Sequence, residues 1–464
     1  MTRTPPVSDL TTVSAAALAR AIRDKQVSSR EAVEAHLRRI EAVNPKLNAV
    51  AVVDGDRALS RARELDDALA RGENAGPLHG VPFTVKDWIE VAGVPCAAGI
   101  EARRNFIPKH DATVVERMRS AGGVFLGKTI DNAVNRNAVY GSVANPYDVS
   151  RTPGESSSGE AAIIAAGGSP VGLGSDSGGS LRYPAHCCGI ATLKPTAGRV
   201  PLTGHFARID VMNDPRTQIG PLARDVDDLA LVLPIIAGPD GRDAGVVPVP
   251  LEDWTRVDLR GLRVATFSQF EASAHSAAAL GVEARKVRAG AIADADTVAA
   301  VERAAGALRD AGASIEERLP PRIEESWDIT QMHWRRVRSY SWSEWRTPQE
   351  HVLTANEIEH GLFAWGRLQR AFLAFMQTYD LIVCPAAPSA AQLRADVSGP
   401  EPFIYTLPFS LSGQPVAVVR AGTSPEGLPI GVQVVASRWL DDVALAAALQ
   451  IETALGGWPA PELA

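Results

Sequence analysis

One stretch constrains the fold of this chain more than any other: Thr152 to Arg182, TPGESSSGEAAIIAAGGSPVGLGSDSGGSLR. It holds two turns rich in glycine and serine, Gly154-Glu155-Ser156-Ser157-Ser158-Gly159 and Asp176-Ser177-Gly178-Gly179-Ser180, with an uncharged apolar segment, Ala161 to Gly167, between them. Glycine opens backbone conformations closed to residues with a Cβ and leaves N–H groups free to face a ligand. A flexible linker can have the same composition. The apolar segment inside the stretch, and hydrophobic sequence on both sides, argue against a linker and predict a structured site. Serine hydroxyls beside free N–H groups suit nucleophilic acyl transfer, which needs an attacking oxygen and donors for the oxyanion.

Around this stretch helical and strand patterns alternate, predicting an α/β protein with a mixed sheet. Val13, Ala17, Leu18, Ala21 and Ile22 share a helical face. Ser28 followed by Glu31 is a capping box that opens a second helix, and Asn44-Pro45 is expected to stop it. A third helix is predicted over about 56–71. The apolar run Val81 to Val85 reads as a buried strand ending on Lys86-Asp87, where α/β proteins tend to place functional groups. Further helices are predicted over 111–119, 225–237, 297–311 and 442–455. Strands are predicted over 124–128, 262–267, 314–318, 380–385, 416–420 and 431–435.

Composition narrows the function. A net charge of −7 with no dominant basic patch argues against nucleic-acid binding. No signal peptide or membrane-length apolar run is visible, so the expectation is a cytoplasmic protein with no membrane partner. The four cysteines, Cys96, Cys187, Cys188 and Cys384, follow no metal or disulfide spacing, which fits a reducing compartment, and the adjacent pair Cys187-Cys188 reads as small core residues. Between Ser326 and Trp365 the character changes: Trp327, Trp334, Trp342, Trp345 and Trp365 crowd together with His333, His351 and His360. Buried tryptophans are commonly core, yet such a segment in an aromatic-poor chain also makes a wall for an apolar pocket.

The central stretch lacks the Gly-x-x-x-x-Gly-Lys-Ser/Thr of a phosphate-binding loop and the Gly-x-Gly-x-x-Gly of a dinucleotide site. Gly154 to Ser158 approaches a nucleophile elbow without its final glycine, no serine has a lysine three positions on, and there is no His-Glu-x-x-His zinc motif. A Ser-His-Asp triad using His186 or His205 stays open, because spacing does not exclude it.

The run from Ser150 through Pro201, SRTPGESSSGEAAIIAAGGSPVGLGSDSGGSLRYPAHCCGIATLKPTAGRVP, resembles the defining segment of the amidase signature family. GVPFTVKD upstream resembles that family's lysine motif, and GLPIGVQVV its C-terminal pattern, so the resemblance spans most of the chain and is weakest from about 267 to 379. It implies one large domain over 1–464 with a mixed, mostly parallel sheet covered by helices on both faces. Its parts would be N-terminal helices over 8–72, a catalytic core over 76–267, a variable pocket-forming helical region over about 268–379, and closing strands and helix over 380–464.

The resemblance also implies a Ser–cis-Ser–Lys triad without metal or cofactor. Lys86 takes the lysine position, Ser156 the bridging serine and Ser180 the nucleophile. The backbone N–H groups of Ser177, Gly178, Gly179 and Ser180 would form the oxyanion hole, braced by Asp176 and Arg182. Lysine serves as base only when burial and hydrogen bonding keep it neutral. Two departures stand out: Glu155 and Ser158 replace family glycines in the first turn. The segment IDNAVNRNAVYGS also departs from the family's commoner form and is expected to line the pocket. The implied activity is hydrolysis of a small-molecule amide to an acid plus ammonia or amine. The alternative is the glutamine-hydrolysing amidase subunit of a tRNA-dependent amidotransferase, and an inactive binding protein is disfavoured by the intact Lys86, Ser156 and Ser180. The resemblance and the N-terminal helices suggest a homodimer.

Overall fold

A computed structural model describes residues 9–131, 137–207, 214–270, 291–340, 353–397 and 401–463 of the 464. Helix α1 (Ala15–Arg23) is capped by Ser14. Helix α2 (Ser29–Leu47) opens on the predicted capping box, with the Ser28 N–H donating to the Glu31 carboxylate at 2.8 Å. The expected stop at Asn44-Pro45 is corrected, because α2 continues through Pro45. Only two residues of helix follow the proline, so its missing N–H and its ring disturb little beyond it. The end is made instead by Asn48, in the left-handed region at φ 48°. The Asn44 side chain then accepts the N–H groups of Ala49 and Val50 at 2.8 Å each, turning the chain into the sheet.

In chain order the rest of the fold comprises β1 (Val50–Val53), α3 (Gly55–Ala70), β2 (Pro82–Lys86), α4 (Thr113–Ser120), β3 (Val124–Thr129), α5 (Ser158–Ala165), β4 (Val171–Asp176) and α6 (Arg182–Cys188). Next come β5 (Ala191–Lys194), β6 (Gln218–Ala223), α7 (Val226–Ile236), β7 (Arg263–Thr266), a two-stranded ribbon of β8 (Gln269–Phe270) and β9 (Ala291–Ile292), α8 (Ala295–Asp310) and β10 (Ser314–Glu317). The chain closes with α9 (Ser326–Tyr340), α10 (Ala355–Phe375), β11 (Leu381–Pro385), α11 (Leu407–Ser412), β12 (Val416–Thr423), β13 (Pro429–Ala436) and α12 (Asp441–Leu455).

Eleven strands form one sheet in the order β1-β3-β2-β4-β6-β5-β12-β13-β11-β7-β10. The α/β class and the mixed sheet are as expected. Parallel pairing holds two blocks, β3-β2-β4 on one side and β11-β7-β10 on the other. The strands between the blocks pair antiparallel, as does β1 with β3.

Alternation along the strands sends side chains to two apolar layers. Phe83, Val85 and Leu173 join Met118, Leu229, Leu308 and Leu445 in one layer. Val33, Leu65, Ile163 and Ala185 pack in the other. With Phe83 and Val85 in the first layer, Thr84 and Lys86 face the second, where α5 lies. Every residue of α5 is buried, as expected of a helix apolar almost all round. The apolar segment of the central stretch is therefore a core helix that holds the two turns apart. Among the described residues no helix is long and apolar enough to cross a membrane.

Candidate active site

Lys86 ends β2 with only 1% of its surface exposed. Its Nζ lies 2.6 Å from Ser156 Oγ, 3.0 Å from Ser175 Oγ and 3.5 Å from the Ser175 carbonyl oxygen. The Trp88 ring covers it, 4.7 Å from Nζ to the centroid, and Trp88 Nε1 donates to Asp131 Oδ2 at 2.6 Å. Burial pulls the Lys86 pKa down to about 8, against the nearby charges of Asp131, Asp176, Glu155 and Glu160, which favour the ammonium form. A substantial neutral fraction near pH 8 makes this lysine competent as a base.

The first turn delivers Ser156 to that lysine. Gly154 has φ 102°, and a Cβ there would lie 2.6 Å from the Pro184 backbone, so glycine is required. The turn closes with the Ser158 N–H donating to the Glu155 carbonyl at 2.7 Å. The cis peptide implied at the bridging serine is corrected: the bonds flanking Ser156 are trans, and the cis bond among the described residues is Phe206–Ala207. Reversal at Gly154 and the Glu155–Ser158 bond bring Ser156 to Lys86 through trans peptides. The two departures from the family pattern are both accommodated. Glu155 is buried near Lys86, and Ser158 becomes the first residue of α5.

The second turn links β4 to α6. Asp176 and Arg182 form a fully buried ion pair across it, and Asp176 Oδ2 also accepts the Leu181 N–H at 3.1 Å. Thr406 Oγ1 donates to the Gly178 carbonyl at 2.5 Å, which fixes the orientation of that peptide. Gly179 has φ 149°, and a Cβ there would meet the Phe403 ring at 2.5 Å. The N–H groups of Gly178, Gly179 and Ser180 donate to no described residue, leaving them available to an oxyanion. Ser180 is half-buried. A hydrogen bond joins Lys86 to Ser156, whereas none joins Ser156 to Ser180 among the described residues.

Neither histidine builds a Ser-His-Asp triad. The His186 ring is engaged by the Gly431 N–H at 3.0 Å and the Ser389 carbonyl at 2.9 Å. His205 bonds Ser175, with Nε2 2.8 Å from Oγ. Sequence reasoning missed Ser175, Trp88 and Thr406. Alternation could have flagged the first two, since Ser175 precedes Asp176 at the end of its strand and Trp88 lies two residues past Lys86. Thr406 carries no sequence signal.

The tryptophan-rich segment divides. Trp365 is core, its Nε1 donating to the Leu411 carbonyl at 2.7 Å. Trp334 is half-buried and lies over the second turn, where a Cβ on Gly178 would come within 3.0 Å of the Trp334 ring and 3.3 Å of Leu407. Trp327 packs partly buried in the α5 layer. His333 is buried 3.3 Å from Asp214, whereas His360 is exposed. Trp342, Trp345 and His351 lie outside the described residues, as do residues 132–136 of the expected pocket segment. All four cysteines are buried and unpaired.

The sequence model of the amidase family matches residues 31–344 and 334–445. The chain is 33% identical to the A subunit of the glutamyl-tRNA(Gln) amidotransferase from Synechococcus sp. (strain CC9605), over 88% of this chain and 90% of that one. It is 35% identical to the protein of the same name from Anaeromyxobacter dehalogenans (strain 2CP-C), over 94% of this chain and 95% of that one. Among solved structures, a 6-aminohexanoate cyclic dimer hydrolase complexed with substrate superimposes with a TM-score of 0.81 at 26% identity, covering 97% of this chain and 98% of the hydrolase.

Proposed function

Because this chain belongs to the amidase family, we propose that it hydrolyses a carboxamide C–N bond through an acyl-enzyme on Ser180, with Ser156 and Lys86 as proton relay. The observation that carries this reading is the buried contact of 2.6 Å between Lys86 Nζ and Ser156 Oγ. A serine hydroxyl is a poor nucleophile until a base accepts its proton. As Ser180 Oγ attacks the carbonyl carbon, its proton passes through Ser156 to neutral Lys86. The oxyanion accepts from the N–H groups of residues 177–180, each such donor being worth about 2.7–4 kcal/mol to the transition state. The C–N bond then breaks, and the relay returns the proton to the departing ammonia or amine. Water attacks the acyl-enzyme by the same route in reverse, and the acid leaves.

Two readings of the substrate have support. Trp334, Leu407 and Phe403 surround the second turn with apolar surface, which suits a small-molecule amide with an apolar acyl or leaving group. The curated relatives weigh toward the second reading, a glutamine-hydrolysing subunit, since they match nearly the whole chain. Four buried, unpaired thiols are in keeping with a reducing compartment such as the cytoplasm. The test is release of ammonia or amine by the purified chain from aliphatic amides, anilides and L-glutamine, each with a Ser180→Ala control. Preference for apolar amides supports the first reading and preference for glutamine the second. Hydrolysis that survives Ser180→Ala overturns both.

A further inference from the structure

Behind Lys86 the buried hydrogen bonds continue away from Ser156. Ser175 Oγ lies 3.0 Å from Lys86 Nζ and 2.8 Å from His205 Nε2, and all three side chains are buried. We propose that His205 is a positioning residue that fixes the direction of this chain, holding the Ser175 hydroxyl as an acceptor toward Lys86 so that the amine's lone pair stays turned to Ser156. The inference rests on the relay role of Lys86 and Ser156 proposed above.

A neutral amine has two N–H donors and one lone pair. Three oxygens surround Nζ: Ser156 Oγ and the hydroxyl and carbonyl of Ser175. The carbonyl can only accept. The Ser175 hydroxyl can accept or donate, and if it donated to Nζ it would occupy the lone pair that the relay needs. Committing its proton to His205 Nε2 removes that option. This requires a neutral imidazole with its proton on Nδ1. Burial, followed by the nearby Lys86 charge, pulls the His205 pKa down to about 3, so the ring is neutral wherever a lysine base works. Other ionisable groups near the pair are Asp131 beyond β3, Glu155 and Glu160 beside the first turn, Lys128 on β3, Asp176 on β4 and Asp214 ahead of β6. None of these bonds the Ser175 hydroxyl. His205 is held in place by the Trp88 ring, edge-on at 5.9 Å.

The test is the pH dependence of Ser180 labelling by a fluorophosphonate, which needs no knowledge of the substrate. The serine oxygen bonds phosphorus, the P–F bond breaks, fluoride leaves, and the serine proton enters the relay. His205→Leu frees the Ser175 hydroxyl to donate to Nζ. This stabilises the neutral amine but blocks it, so the acid limb should move to lower pH while the plateau rate falls about tenfold or more. His205→Gln, whose amide oxygen can accept from Ser175, should restore plateau and limb to near wild type. Ser175→Ala combined with His205→Leu should be no slower than the slower single variant, because the two act in series. A wild-type profile in His205→Leu, equal loss in Leu and Gln variants of wild-type melting temperature, or additive losses in the double variant overturn the proposal. Labelling that persists in Ser180→Ala overturns the nucleophile assignment instead, and removes the premise with it.

Discussion

Arg182 grips Asp176 with two contacts of 2.9 Å, Nε to Oδ2 and Nη2 to Oδ1, both side chains fully buried. The same guanidinium donates to the Thr406 carbonyl at 2.7 Å, Ser410 Oγ at 2.7 Å and Gln433 Oε1 at 2.9 Å. One side chain thus ties the end of β4 to α11 and β13, and every donor of the second turn hangs on that knot. Removing one partner of a buried pair strands the other charge, at about 3–5 kcal/mol. Asp176→Asn should therefore lower unfolding free energy by roughly that much in urea melts, and reduce turnover further by loosening the loop.

The same pair sets an acid limit. Burial disfavours the Asp176 carboxylate, but Arg182, followed by Lys194 and the Leu181 N–H, outweighs it and holds the pKa below the ordinary 3.8. A depressed carboxylate contributes stability that is present above its unfolded pKa and lost as pH falls through the folded one. Wild-type melting temperature should fall as pH drops below about 4, and in Asp176→Asn this component should be missing.

Activity should rise with pH through the titration of Lys86, whose pKa burial lowers to about 8. In the proposed relay only the neutral amine accepts the proton, so kcat/KM should fall about tenfold per unit well below that value and level off above it. Lys86→Ala should remove the limb and cost at least about a hundredfold in rate. A limb unchanged in that variant would assign the base elsewhere.

Glu160 lies buried behind the site, accepting from Thr84 and from Thr129 Oγ1, the latter at 2.7 Å. Burial pushes its pKa up to about 7. A carboxyl raised from its ordinary 4.5 contributes stability that is complete below that value and lost as pH rises through about 7. Glu160→Gln should melt close to wild type at pH 5 and above it at pH 8. Gly172→Ala would drive a methyl group into the Glu160 carboxylate, and should be strongly destabilising at every pH.

Trp334 and the second turn are packed closely enough to be tested from both sides. Gly178→Ala places a Cβ 3.0 Å from the Trp334 ring, shifting the proposed oxyanion donors, and kcat should fall by about 10²–10³. Trp334→Ala opens the pocket instead. KM for apolar amides should rise while small amides are little affected, as measured across a chain-length series.

Much of the local structure was legible in residue order. The capping box at Ser28 and Glu31, the strand ending on Lys86 and the two glycine-serine turns all depend on neighbours a few positions apart. The second-helix stop at Pro45 misled, because a proline's cost depends on where in the helix it falls, and Asn48 supplied a better end just beyond it. The shape of the first turn was also not legible, since trans peptides with a Gly154 reversal reach the same lysine.

By itself the sequence determined the class of fold, because periodicity and turn chemistry are local properties of the chain, while its resemblance to the amidase signature family implied Lys86, Ser156 and Ser180 as the groups of the site. Only the tertiary structure decided that Ser156 and Lys86, 70 residues apart, stand within hydrogen-bond reach. That contact depends on β4 pairing beside β2 and on α5 being buried behind both. The Ser175–His205 bond and the seat of Trp334 over Gly178 have the same origin. They join segments whose separation in sequence carries no trace of their contact, and packing of the whole sheet is what brings them together.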